Sequence, residues 1–191
     1  MIKLGITGDI GSGKSYVARQ FGYPVFDADR EVSEIYRRDK NCYNKLKKKL
    51  PKYINHFPIK KKELKNAVLK NKRNIKIIEK IIHPIVKNKI KKFIKKNKRK
   101  KLLIFDIPLL LEKKSLNSEY ILLFVDAKQK DIRKQIIKRK GFNNKILNTL
   151  KKSQLPLEIK KKKSDYIIKN DFNKFNLKKN VNILKNKILR K

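Results

Sequence analysis

Cysteine is almost absent. Cys42 stands alone, so no internal disulfide can form, and no neighbouring His or Cys makes it a metal ligand. Such usage suits a reducing compartment. Glycine and proline number six each, too few for long disordered linkers. No apolar run approaches the ~20 residues of a bilayer-spanning helix, and the N-terminus enters a strand and glycine loop, not a signal peptide. A soluble, cytoplasmic protein with no membrane partner is expected. Acidic residues are scarce as well: 16 Asp and Glu face 55 Lys and Arg, a formal net charge of +39. That field would attract nucleic-acid backbones in a salt-dependent way. The basic residues, however, are mostly lysine and occur in nearly every segment, alongside abundant isoleucine and asparagine. A composition bias of the whole coding sequence accounts for that pattern without a partner. Aromatics interleaved with basic residues, the stacking surface of single-strand binders, are not evident. No specific nucleic acid is expected.

What is present starts with Gly8-Asp9-Ile10-Gly11-Ser12-Gly13-Lys14-Ser15, which fits G-x-x-x-x-G-K-[ST]. Ile2, Leu4 and Ile6 alternate before it as in a strand, and Val17, Ala18 and Phe21 follow it at helical spacing. Strand, glycine loop and helix together make a phosphate cradle. Glycines let backbone N–H groups turn towards phosphate oxygens with no Cβ in the way, and the helix start adds its positive dipole end. Lys14 would meet the β- and γ-phosphates, and the Ser15 hydroxyl would ligate Mg²⁺. The predicted ligand is a nucleoside triphosphate.

At 191 residues the chain can hold one α/β core and one inserted subdomain. After Gly22, Tyr23-Pro24-Val25-Phe26 reads as a second strand that runs into Asp27-Ala28-Asp29, with a helix from about Arg30 to Arg38. An aspartate at that edge can accept a substrate's hydroxyl proton or help hold Mg²⁺, or it can cap the helix. From Asn41 to Asn97 the pattern is helical and basic, with Pro84 expected at the start of a new helix. This stretch is longer than an ordinary crossover and reads as an insertion that receives the second substrate. His83, a candidate ligand contact, lies in it. Leu102 to Ile107 is a continuous apolar run broken by Asp106, as in a buried parallel strand with a Walker-B-like aspartate near the metal. Glu112 follows just beyond it. Tyr120–Val125 and Asp165–Lys169 read as further strands, and Leu177, Val181, Leu184 and Ile188 stripe a closing helix. Between Lys128 and Lys163 the chain is helical and basic, with Gly141 as a break and Arg133 and Arg139 as scarce arginines suited to phosphate oxygens.

These pieces resemble dephospho-coenzyme A kinase over nearly the full length. The matching segments are Gly5 to Ser15, Gly22 to Asp29, His83-Pro84, Asp106-Ile-Pro-Leu-Leu-Leu-Glu112, Val125-Asp-Ala127, Arg139, Gln154-Leu-Pro-Leu157 and Asp165 to Asn170. The resemblance implies a P-loop kinase-like α/β fold, a doubly wound parallel sheet with a helical substrate-binding insertion and a helical lid. The corresponding blocks are residues 1–38, 101–127 and 164–191 for the core, 39–100 for the insertion and 128–163 for the lid. It implies ATP-dependent phosphorylation of the ribose 3′-hydroxyl of dephospho-CoA, the last step of coenzyme A biosynthesis, with Mg²⁺. Asp29 is then the base, assisted by Lys14 and Arg139. Gly11, Ser12, Gly13, Lys14, Ser15 and Tyr16 bind ATP, Asp29 and His83 bind substrate, and Ser15 and Asp106 hold the metal. Three places depart from the family pattern: Asp9 for a glycine, Tyr16 for a threonine, and the pair Asp171-Phe172 for a small glycine-containing turn near the adenine site. The other readings are a different P-loop nucleoside or nucleotide kinase, or a basic nucleic-acid-associated NTPase.

Overall fold

The apolar runs become strands, and all of them pair in parallel. In the computed structural model of the chain, β1 (Ile2–Gly8), β2 (Val25–Asp27), β3 (Leu102–Asp106), β4 (Ile121–Asp126) and β5 (Tyr166–Lys169) form one five-stranded sheet in the order β2-β3-β1-β4-β5. The structure describes residues 1–71, 73–107, 119–138, 144, 147–148, 151 and 154–190. Within them lie the helices α1 (Lys14–Gln20), α2 (Ala28–Arg38), α3 (Lys40–Lys49), α4 (Lys61–Lys70), α5 (Arg73–Lys96), α6 (Gln129–Ile137), α7 (Leu157–Lys162) and α8 (Lys174–Leu189). None of the described helices is long and apolar enough to cross a membrane.

Every residue of β3 is buried, as its uninterrupted apolar sequence requires for a strand covered on both faces. It pairs with β1 in the register Leu4↔Ile104 and Ile6↔Asp106, while β4 lies on the other side of β1. The chain leaves β1 towards one edge of the sheet and crosses from β3 to the other. A crevice therefore opens outside the carboxyl ends of the central strands, where such sheets bind ligands. One core packs Leu4, Ile6, Leu102, Ile104, Leu123 and Val125 of the sheet against Val17, Ala18 and Phe21. The stripe on α8 joins the same core, with Leu177, Val181 and Ile188 buried and Leu184 partly so. The sheet and these helices belong to a compact unit made of Met1–Asp27 and Asn97–Lys191.

The second compact unit is Ala28–Lys96, and its described regular elements are all helices. Its boundary falls after Asp27, where the sequence placed it after residue 38, because α2 turns Ile35 into a core with Cys42, Leu46, Leu50, Ile54, Ile59 and Ala67. Asp39 caps α3 by accepting the Cys42 N–H at 2.8 Å, and the Lys89 ammonium meets Glu31 at 2.8 Å across α2 and α5. Pro84 does not start a helix: it lies inside α5, which runs unbroken from Arg73 to Lys96. A proline there forfeits one backbone hydrogen bond. Ile78 and Ile82 before it and Ile85 and Val86 after it pack into one cluster, and that burial outweighs the local preference to break.

Cys42 is wholly enclosed, and burial above all, with Asp39 nearby, pushes its thiol up to about 12. The thiolate is the reactive species. Native protein near neutral pH is therefore expected to resist maleimide or iodoacetamide and to label fully once unfolded; rapid labelling of folded protein would contradict this packing.

Candidate active site

Where β1 ends, the backbone takes a path that L side chains resist. Gly8, Gly11 and Gly13 have φ of 144°, 88° and 88°. A Cβ on Gly8 would meet the Val125 carbonyl oxygen at 2.7 Å, and one on Gly11 would meet Ile136 at 2.6 Å. On Gly13 it would collide with the Asn170 amide. The loop is thus walled by β4, α6 and the end of β5, and only glycine fits those walls. Ser12 is turned fully inward (0 % exposed). Asn170 fastens the loop from outside, its Nδ2 donating to the Ser12 carbonyl at 2.8 Å.

Gly13 is the N-cap of α1 and has no side chain to satisfy the helix's first N–H groups. Those donors, together with the dipole, suit an anion. The Lys14 ammonium folds back over the loop, donating to the Asp9 carbonyl at 2.7 Å and the Gly8 carbonyl at 3.3 Å. Ser15 Oγ donates to Asp106 Oδ2, so the structure brings this hydroxyl and the buried carboxylate together. Among the described residues no group of three or more His, Cys, Asp or Glu could hold a metal alone. A hydroxyl and one carboxylate suit Mg²⁺, which keeps waters and takes its other ligands from substrate phosphates.

Asp27 ends β2 directly opposite Asp106 on β3, placing both carboxylates at the same sheet edge. Asp29 lies in the first turn of α2 and is exposed. His83 is half-buried within α5. Both belong to the helical unit. Arg139, Gly141 and Glu112 lie outside the described residues. Arg133 lies on α6, beside a cavity of about 660 Å³.

A second cavity of about 460 Å³ adjoins the loop, with Gly11, Gly13, Tyr16, Asn170 and Phe172 in its wall and Lys138 and Lys174 at its margin. Phe172 occupies the left-handed region with φ 61°, an uncommon place for a bulky residue. Its N–H donates to Asn170 Oδ1 at 3.0 Å, so one asparagine fixes both the loop and this turn. Sequence reasoning missed that double role, although Asn170's position at the end of the last strand was a signal. It also missed Lys160, which is wholly buried (0 % exposed) and donates to Gln154 Oε1 at 2.7 Å.

Comparison with known proteins gives a consistent result. The dephospho-CoA kinase family profile matches residues 2–175. A dephospho-CoA kinase of Wolbachia sp. subsp. Brugia malayi is 33 % identical over 172 residues, covering 86 % of this chain and 87 % of that protein. Among solved structures, TT1252 from Thermus thermophilus superposes with a TM-score of 0.76 at 26 % identity, covering 96 % of this chain and 95 % of that one. The dephospho-CoA kinase from Campylobacter jejuni shares the fold with a TM-score of 0.69 at 23 % identity, over 98 % of this chain and 97 % of the other.

Proposed function

The chain belongs to the dephospho-CoA kinase family, and from that premise we propose how its own residues phosphorylate dephospho-CoA at the ribose 3′-hydroxyl. It is a kinase with ATP as the phosphoryl donor, acting in coenzyme A biosynthesis. The observations that carry the mechanistic reading are the Lys14 ammonium folded over the glycine loop and the Ser15 hydroxyl bonded to Asp106.

Phosphoryl transfer depends mainly on positioning and on neutralising charge. Loop N–H groups and Lys14 hold the β- and γ-phosphates. Ser15 and Asp106 would hold Mg²⁺, which would supply positive charge beside the phosphates. The 3′-oxygen forms its bond to the γ-phosphorus as the bridging P–O bond to ADP breaks, and its proton passes to the Asp29 carboxylate. His83 contacts the nucleotide substrate, and Arg139 from the 128–163 lid neutralises the migrating group. Residues 39–100 receive dephospho-CoA. The protein acts in the cytoplasm, with no specific nucleic-acid or membrane partner.

The adenine stacks in the cavity beside Tyr16 and Phe172, since aromatic faces accept a base through π contact. Phe172→Gly is expected to weaken ATP binding by about 1–3 kcal/mol, the range for base–aromatic stacking, as read by calorimetric titration with ATP. Unchanged affinity would remove Phe172 from the base site. For the metal, Asp106→Asn is expected to raise the Mg²⁺ concentration needed for half-maximal turnover. An unaltered Mg²⁺ curve in the folded variant would take Asp106 out of the metal shell.

A further inference from the structure

Asp9 places a carboxylate on an anion-binding loop, where like charge opposes phosphate. It is nonetheless 94 % enclosed, with 6 % exposure, and two N–H donors and one nearby ammonium face it. The Ile10 N–H donates to Oδ1 at 2.7 Å, and Gln129 Nε2 at the start of α6 donates to Oδ2 at 3.0 Å. The Lys151 ammonium stands 3.7 Å from the same Oδ2. Lys14 rests on the carbonyl of this same residue, at 2.7 Å. Asp9 therefore holds two ammonium groups beside the loop, one by its backbone and one by its side chain. Lys14 is the group that a γ-phosphate draws away, and Lys151 carries the same charge on a flexible stem. Its side chain is 42 % exposed and flexible enough to change partner.

We propose that Asp9 is a resident anion of the nucleotide-free loop and that Lys151 passes from its carboxylate to the γ-phosphate when ATP binds. Asp9 is then a positioning residue that keeps Lys151 at the loop and weakens ATP binding by competing for it. Lys151 is a phosphate-binding residue that distinguishes the triphosphate from the diphosphate. This inference rests on the ATP-site reading above.

The test is calorimetric titration of ATP and ADP into folded wild-type, Asp9→Asn, Lys151→Met and Lys151→Arg protein. Asparagine keeps an acceptor for the Ile10 N–H, and the Gln129 amide can turn to match it. Lys151→Met is expected to lower ATP affinity about tenfold, the scale of one charge-assisted phosphate contact, with a much smaller effect on ADP. Lys151→Arg should retain the preference for ATP. Asp9→Asn should tighten ATP several-fold. Equal losses for ATP and ADP in Lys151→Met, or no loss, would overturn the role of Lys151. Weaker or unchanged ATP binding in Asp9→Asn would overturn the competition. Should Asp9→Asn not fold, the Lys151 pair of variants still decides. Failure of wild-type protein to bind ATP would instead defeat the ATP-site reading, which separates the two outcomes.

Discussion

Replacing Lys14 with alanine is expected to abolish measurable turnover while leaving the protein folded. The loss should reach at least about 10²–10³-fold, the scale of removing one preorganised donor from a transferring group. The ammonium donates to the Gly8 and Asp9 carbonyls, bonds that phosphate oxygens can replace. Alanine at the first position of α1 keeps a strong helix former there. Circular dichroism and thermal unfolding should therefore match the wild type. Unimpaired turnover by the folded variant would remove the ATP site from the glycine loop.

The second large effect concerns Asp29. Asp29→Asn should slow the chemical step by about 10²–10⁴-fold, as expected for loss of a general base, while ATP affinity changes little. Single-turnover measurement at saturating ATP separates these quantities. Asp27→Asn is the control. Asp27 faces Asp106 across the β2–β3 pair, so its charge acts at the phosphate end of the site. Normal turnover by Asp29→Asn beside a crippled Asp27→Asn would transfer the base to the other carboxylate.

Much of the core was legible because its signals are local. β3 is a run of apolar residues ending in Asp106, the pattern a strand covered on both faces shows. The glycine loop showed itself through Gly8, Gly11 and Gly13, whose positive φ values are the reason glycine recurs there. The α8 stripe followed helical period and packed as expected. Pro84 was misread because local preference says break, while the deciding term is tertiary: apolar residues on both sides share one core. The unit boundary at Asp27 was missed for a similar reason, since only Ile35's packing reveals which core α2 serves. Lys160 sits in the run Lys160-Lys161-Lys162-Lys163, where composition cannot say which one faces inward. The left-handed turn at Phe172 also leaves no residue-type signature, because phenylalanine does not favour it.

The most direct measurement supplies purified protein with ATP and Mg²⁺ at near-physiological salt and adds dephospho-CoA, DNA or RNA singly. ATP consumption and product mass are followed together. The prediction is turnover with dephospho-CoA alone, yielding ADP and a product that has gained one phosphoryl group and co-migrates with CoA. Weak nucleic-acid binding at low salt would follow from the charge of +39 by counterion release and would decide nothing. Stimulation of ATP turnover by DNA or RNA, with none by dephospho-CoA, would contradict the account.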